Sequence, residues 1–448
     1  MHNIAFGEIF DTVVIMTPLS LQTIRKVYFV GIGGIGISAV ARMMVHEGKI
    51  VTGTNDRESP NTLDGLRAAG VQIYCDRDIS HIDLDTDLII YSTAWDQNEK
   101  DFIDMVRTLG IPVLTYAEAL GLISQNKYTI AISGTHGKTT TTAMVAKVLG
   151  EAQKKPTVIV GSILKDIQSN FIAGSSNLFV VEACEYQRSF LNLSPSILVI
   201  TNIDNDHLDY YGTLDGIQKA FAELAHKVPS SGFIVCDPND ARVSNILTNL
   251  SAHIVDYTKE KITTPLKVSG DHNIKNAQAA IAVGRILSIE TEKINSSLAQ
   301  FTGTWRRMEY KGTMECGALV YDDYAHHPTE IRASLQGFRS MHPHKNIRVI
   351  FQPHLFSRTK FLLNEFSQSF TDTNEVILAP IYGAREKPDS TISSEILSEL
   401  TKKYHQKVSV GENFSTIENY LKTTSTKEDV IITMGAGNIY KIGEKLLG

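Results

Sequence analysis

The sequence predicts an α/β protein made of three strand-loop-helix regions with largely parallel sheets. Two observations carry this expectation. Short β-rich runs such as KVYFV, YTIAI, NLFVVEA and SILVITNI alternate with helical patterns such as TTAMVAKVLGEA, as chained βα units require. Two of these strands also run straight into a glycine-rich loop and then a helix: GIGGIG after Val30, and SGTHGKTTTT from Ser133. In parallel sheets ligands gather beyond the carboxyl ends of the strands. The polar residues that end each strand are therefore the first candidates for chemistry.

The chain has 448 residues, enough for two to four domains. The expected divisions are an extension over 1–24, then regions 25–124, 125–308 and 309–448. A net charge of -6 offers no footprint for nucleic acid. Cys75, Cys184, Cys236 and Cys316 are scattered, with neither metal-ligand spacing nor a secreted disulfide framework. No apolar run is long enough to cross a bilayer. The opening stretch carries Glu8 and Asp11 and no basic start, so it makes a poor signal peptide. A cytoplasmic protein without membrane insertion is expected.

In the first loop Gly31, Gly33 and Gly36 form G-x-G-x-x-G, with Gly34 and Ile35 inside it. Such glycines let the backbone approach a pyrophosphate at a helix N-terminus. They also serve merely to pack a helix on a strand, and both readings stay open. A dinucleotide site would want an acid at the end of the second strand. IVTGTNDRE places Asn55 there and Asp56 next, which leaves the match ambiguous.

The second loop is sharper. Lys138 is expected among phosphates, wrapped by the N–H groups of Gly134 to Lys138, with the Thr139 hydroxyl on Mg²⁺. Ile132 replaces the first glycine of the usual loop. Magnesium needs further hard oxygen ligands. Glu182 directly follows four apolar residues and is the best candidate. Glu185, Asp204, Asp206 and Asp209 are expected to be solvated or to cap helices. A lone His207 would usually be structural, but its loop follows a strand of the same region.

Together these pieces resemble the Mur ligases, ATP-dependent enzymes that add amino acids to the peptidoglycan precursor. The resemblance runs from about Lys26 to the end and also rests on VITNIDNDHLDYY, HNIKNAQAAIAV, FTGTWRRME, VYDDYAHHPTEI, FQPHLFSRT and MGAGNIY. It implies a Rossmann-like N-terminal domain for a UDP-sugar, a P-loop-type central ATPase domain and a Rossmann-like C-terminal domain for the amino acid. Two phosphate-bearing substrates explain two glycine loops. ATP would then be held by Gly134, Thr135, Gly137, Lys138, Thr139, Thr140, Asn273, Asn276, Arg306 and Arg307, and the metal by Thr139, Glu182 and His207. Lys138, His207, Arg307, His326 and His327 would be catalytic. Gly31, Gly33, Gly34, Ile35, Gly36, His136, Tyr324, His354 and Arg358 would bind substrate, while Asp323 belongs to a segment facing the reaction centre.

The substrates implied are UDP-N-acetylmuramate and L-alanine, joined by a monomer or homodimer. The runner-up attaches a recycled tripeptide to the same UDP-sugar. A nicotinamide-dependent dehydrogenase would leave SGTHGKTTTT unexplained, and a non-catalytic relative would not need Lys138, Thr139, Glu182 and His207. One stretch departs from the family. EACEYQ stands where EADESD is common, so Cys184, Tyr186 and Gln187 replace two acids and a serine.

Overall fold

In the computed structural model, which describes residues 19–56, 60–384 and 386–448, the β-rich runs form parallel strands. Residues 1–18 of the expected extension lie outside that set. The first sheet contains β1 (Lys26–Val30), β2 (Ile50–Thr54), β3 (Gln72–Tyr74), β4 (Leu88–Tyr91) and β5 (Val113–Thr115). All its strands are parallel, in the order β3-β2-β1-β4-β5. The apolar β1 is central and buried on both faces, which suits its unbroken hydrophobic run.

The second sheet contains β6 (Tyr128–Ser133), β7 (Thr157–Leu164), β8 (Ser169–Ile172), β9 (Leu178–Glu182), β10 (Ile197–Ile200), β11 (Phe233–Cys236) and β12 (His253–Asp256). Its order is β12-β11-β10-β6-β9-β7-β8, with only the β7–β8 pair antiparallel. The order matters for the site. Ser133 pairs with Ile200 on one side, and Ile132 with Glu182 on the other. The loops that follow β9 and β10 therefore flank the lysine-bearing loop, at the carboxyl edge where the strand order reverses.

The third sheet contains β13 (Glu309–Thr313), β14 (Leu319–Asp323), β15 (Asn346–Phe351), β16 (Glu375–Leu378), β17 (Val408–Val410) and β18 (Asp429–Met434). Its order is β13-β14-β18-β15-β16-β17, and the edge strand β13 is antiparallel. Asp323 and Phe351 both align with Met434, so the loops DYAHH, QPHLF and GAGN leave from one edge. Among the described residues no helix is long and apolar enough to cross a membrane.

The cores show how the parts are joined. One apolar cluster runs from Val27 and Phe29 in the first sheet to Phe179 and Phe221 around the second. Asn170 on β8 adds a polar tie: its amide donates to the Ser38 hydroxyl at 2.8 Å and to the Ile35 carbonyl. The third sheet is packed by clusters drawn from its own side of the chain, from Met308 onward. Its contacts with the central part are mainly polar, as the site below shows. Phe351 sits in the third core, its ring 5.7 Å from Phe366 and 5.5 Å from Phe370. Phe351→Ala is expected to cost about 3–5 kcal/mol, read as a fall in the urea midpoint.

Candidate active site

The lysine-bearing loop is shaped by glycine at two positions. Gly134 has φ +133 and Gly137 has φ +84. A side chain at Gly134 would collide with the Thr201 hydroxyl, and one at Gly137 would meet Asn276 Oδ1. From Gly137 the helix Lys138–Glu151 departs with its first N–H groups facing the loop. Lys138 curls back over this loop. Its Nζ donates to the carbonyls of Gly134 at 2.6 Å and Thr135 at 3.0 Å, and lies 2.8 Å from Glu185 Oε2. Burial alone would lower the ammonium, but the Glu185 carboxylate outweighs it and holds Lys138 above its usual range.

Glu182 ends β9 beside this loop. It accepts from the Thr139 hydroxyl at 3.0 Å and from the Gly161 N–H at 2.8 Å. A Cβ on Gly161 would stand 2.6 Å from Glu182 Oε2, so the carboxylate occupies the room a side chain would take. Thr139 and Glu182 thus form a fixed pair of hard oxygen donors, a set that fits a magnesium ion. His207 is placed apart. Its Nε2 is 3.8 Å from both Glu185 Oε1 and Asp206 Oδ2, and its ring packs against Tyr186 at 4.7 Å. Among the described residues no ion pair joins His207 to Glu182.

Two cavities meet at this loop. One, of about 270 Å³, lies between the second and third sheets and is lined by His136, Thr140, Asn273, Asn276 and Asp323. Asn276 is partly committed within it: its Oδ1 accepts from the Thr141 hydroxyl at 3.1 Å and its amide donates to Asn273. The other, of about 500 Å³, runs from Ile35 of the first glycine loop past Lys138, Glu182 and His207 to Tyr324 and His326. Gly137, Arg307 and Glu330 line both. A polyphosphate tail in the first cavity would reach the second at that point.

The first glycine loop is braced from below. Asn55 Oδ1 accepts from the Gly33 N–H at 2.9 Å, so the residue where an acid was sought supports the loop. Gly31 has φ +74, and Gly36 lies against the Tyr116 hydroxyl. Gly34 precedes the helix Ile35–His46.

Several sequence expectations are revised by the geometry. Arg306 was expected at phosphate, but its side chain is 3% exposed and its three nitrogens donate to Asp322 Oδ2 at 2.6 Å, Gly437 O at 2.9 Å and Gly435 O at 2.6 Å. It ties the chain linker to the third domain. Its neighbour Arg307 faces the cavities, with its guanidinium 5.0 Å from the Tyr324 ring. His327, expected to be catalytic, is the N-cap of the helix Pro328–Met341. Its Nδ1 accepts from Thr329 N–H, so Nε2 carries the hydrogen given to the Asn205 carbonyl at 2.8 Å. Neither nitrogen is left for proton transfer. His136, expected to bind substrate, has both ring nitrogens engaged as well: Nε2 with Asp204 at 3.3 Å and Nδ1 with Glu330 at 3.2 Å.

His326 differs. Its Nδ1 donates to the Tyr324 carbonyl at 3.0 Å, which makes Nε2 the acceptor. Burial, with Arg358 nearby, pushes the ring down to about 4, so it stays neutral at pH 7. Asp323 is buried, accepting from the N–H groups of Ala325 at 2.7 Å and Met308 at 2.8 Å. Arg358 pairs with Asp206 at 3.1 Å, and both are almost fully buried. Its Nη1 lies 3.4 Å from His354 Nδ1, while the His354 ring stacks on Tyr382. Glu185, Asp204 and Asp206 are thus counter-ions of the site and not the solvated caps expected. Strand order, which sets their loops beside the lysine, is what the sequence did not show.

Comparison with known proteins places the three domains in one family. The Mur ligase family catalytic domain matches residues 26–128, the Mur ligase middle domain 132–263, and the Mur ligase glutamate ligase domain 306–437. The chain belongs to the Mur ligase family. Among its relatives, the UDP-N-acetylmuramate–L-alanine ligase of Clostridium kluyveri is 40% identical over 451 residues, covering 94% of this chain and 98% of the relative. The enzyme of that name from Caldanaerobacter subterraneus is 38% identical over 96% of this chain and 98% of its own. The crystal structure of the UDP-N-acetylmuramate-alanine ligase from Thermotoga maritima superposes with a TM-score of 0.78 at 28% identity, covering 94% and 98% of the two chains. A murein peptide ligase from Psychrobacter arcticus shares the fold, with a TM-score of 0.70 at 23% identity over 94% and 98%.

Two outcomes follow from this Mur ligase site. Arg306→Ala leaves Asp322, 1% exposed, without its counter-ion. A loss of about 3–5 kcal/mol is expected, with ADP affinity of the folded fraction unchanged by fluorescence titration. For His136, burial would lower the ring, but its bonds to Asp204 and Glu330 raise it from 6.5 to about 9. Its contribution to stability is full below pH 6.5 and lost as pH climbs through about 9. The thermal midpoint should fall across that window, and less steeply in His136→Gln, by scanning calorimetry.

Proposed function

We propose that the protein joins L-alanine to the lactyl carboxylate of UDP-N-acetylmuramate with ATP as the energy source, through an acyl phosphate. The observation that carries this reading is the continuity of the larger cavity. It starts at Ile35 on the first glycine loop, passes Lys138 and Glu182, and ends at His326 in the third domain. A UDP-sugar on the first loop would present its acid beside the phosphate-gripping loop, with the amine arriving from the other end. The alanine ligases that are 40% and 38% identical support this choice over the tripeptide reading.

The chain's own groups suit the steps. Lys138 and Arg307 place positive charge where the γ-phosphoryl would pass to the sugar acid. Thr139 and Glu182 would hold Mg²⁺, which neutralises charge on the transferring phosphate when bound. His326, neutral with Nε2 as its acceptor, is placed to take the proton that the amine nitrogen, already neutral when it attacks, sheds as its bond to the acyl carbon forms and phosphate leaves. Arg358, anchored by Asp206, offers a cation for the amino acid's carboxylate. The third domain packed over the central loop keeps water from the acyl phosphate.

The decisive assay measures phosphate release with UDP-N-acetylmuramate, L-alanine, ATP and Mg²⁺. Release needing both acceptor substrates is expected, and Lys138→Ala should lower kcat by about a hundredfold or more. Turnover with the tripeptide in place of alanine would overturn the assignment.

A further inference from the structure

His136 stands out because every polar atom it owns is accounted for. Its N–H donates to Asn202 Oδ1 at 2.9 Å. Its carbonyl accepts from the Thr201 hydroxyl at 2.6 Å and the Asn202 amide at 3.0 Å. Ring Nε2 is bonded to Asp204. These four contacts all reach the loop after β10, within the central domain. The fifth, from Nδ1 to Glu330, crosses to the third domain. It is thus the only one of these contacts that depends on where the third domain sits.

Other roles for this ring are disfavoured by its surroundings. His136, Asp204 and His327 have ligand atoms within 4.8 Å of one another. A cation there would need a lone pair from His327, whose Nδ1 already caps a helix while Nε2 donates to Asn205. A general base would need a free nitrogen, and His136 has none. The ring does, however, line the cavity that would hold the nucleotide, one residue before Gly137. Around it the same helix start is fastened to the central domain again, by Thr329 on Asp204 at 2.8 Å and by His327 on Asn205.

We propose that His136 is a positioning residue that couples the phosphate-gripping loop to the third domain, so that the loop is set for transfer only when Glu330 of the helix Pro328–Met341 is docked on it. This rests on the reading of the loop as the site of the nucleotide's phosphates. Removing the ring takes away the one group that bonds both Asp204 and Glu330. It leaves Asp204 to Arg242 and Thr329, and Glu330 to the His326 ring and its own helix start, so docking loses its tie to the loop. The nucleotide itself still meets Lys138 and the backbone of the loop.

The test uses the full chain in four forms: wild type, His136→Ala, Glu330→Gln and the double variant. Glu330→Gln lies in the other domain and retains an oxygen for its helix cap, so it keeps the test alive if His136→Ala folds poorly. Each single change is expected to lower kcat about tenfold, while affinity for a fluorescent ADP analogue stays within about twofold. The double variant should be no slower than the slower single, as coupled partners require. Small-angle scattering with ADP and Mg²⁺ should show a larger radius of gyration in the variants than in wild type. That measurement stands even if the wild-type protein ligates nothing, which would sink the proposed reaction alone. Multiplying rate losses in the double variant, a fall in ADP affinity with kcat intact, or an unchanged radius would each overturn the role of His136.

Discussion

Lys138 can lie over its own loop, away from bulk water, because Glu185 faces it at 2.8 Å. An ammonium so placed without a counter-charge would shed its proton or reorganise the loop. The same solution recurs around the site. Arg358 has Asp206, Arg306 has Asp322, and His136 has Asp204 and Glu330. Each cation comes with an acid from a different part of the chain, whether loop, strand or helix, so these pairs also decide how those parts stand to one another. An anion arriving at Lys138 would have to compete with Glu185, and the oxygen pair of Thr139, in the helix that begins at Lys138, and Glu182, at the end of β9, lies beside it.

Much of this was legible in the sequence, and the reasons for the rest are physical. The strand-loop-helix around Lys138 and the place of Glu182 beside it could be read because a contiguous motif and a strand-terminal acid are local signals. The alternation of strand and helix gave the α/β class for the same reason. Glu185, Asp204 and Asp206 looked like ordinary loop acids because their partners are fixed by strand order. The chain visits β7 and β8 before β9, yet β9 and β10 are the strands that flank β6. Arg306 and Arg307 are indistinguishable side by side, until the backbone at Arg306, with φ +58, turns one inward and leaves the other at the cavity. His326 and His327 divide in the same way, since the second is consumed in starting a helix.

The domains are joined by two kinds of contact. The first two share apolar packing, which is not directional and does not exchange readily with a ligand. The third meets the central domain through hydrogen bonds and ion pairs around the two cavities. Polar contacts of this kind can be traded for phosphate, carboxylate or water at modest net cost. The lysine-bearing loop therefore stands at the seam held by exchangeable polar contacts, and not at the one held by apolar packing.

The amide of Asn55 has a consequence for any ligand of the first glycine loop. Because its oxygen already holds the Gly33 N–H, the first glycine loop is shaped before any ligand comes. Little conformational entropy is left to lose on association, so more of the contact energy is retained as affinity. A neutral amide at that position also adds no charge of its own beside the loop, as an aspartate there would.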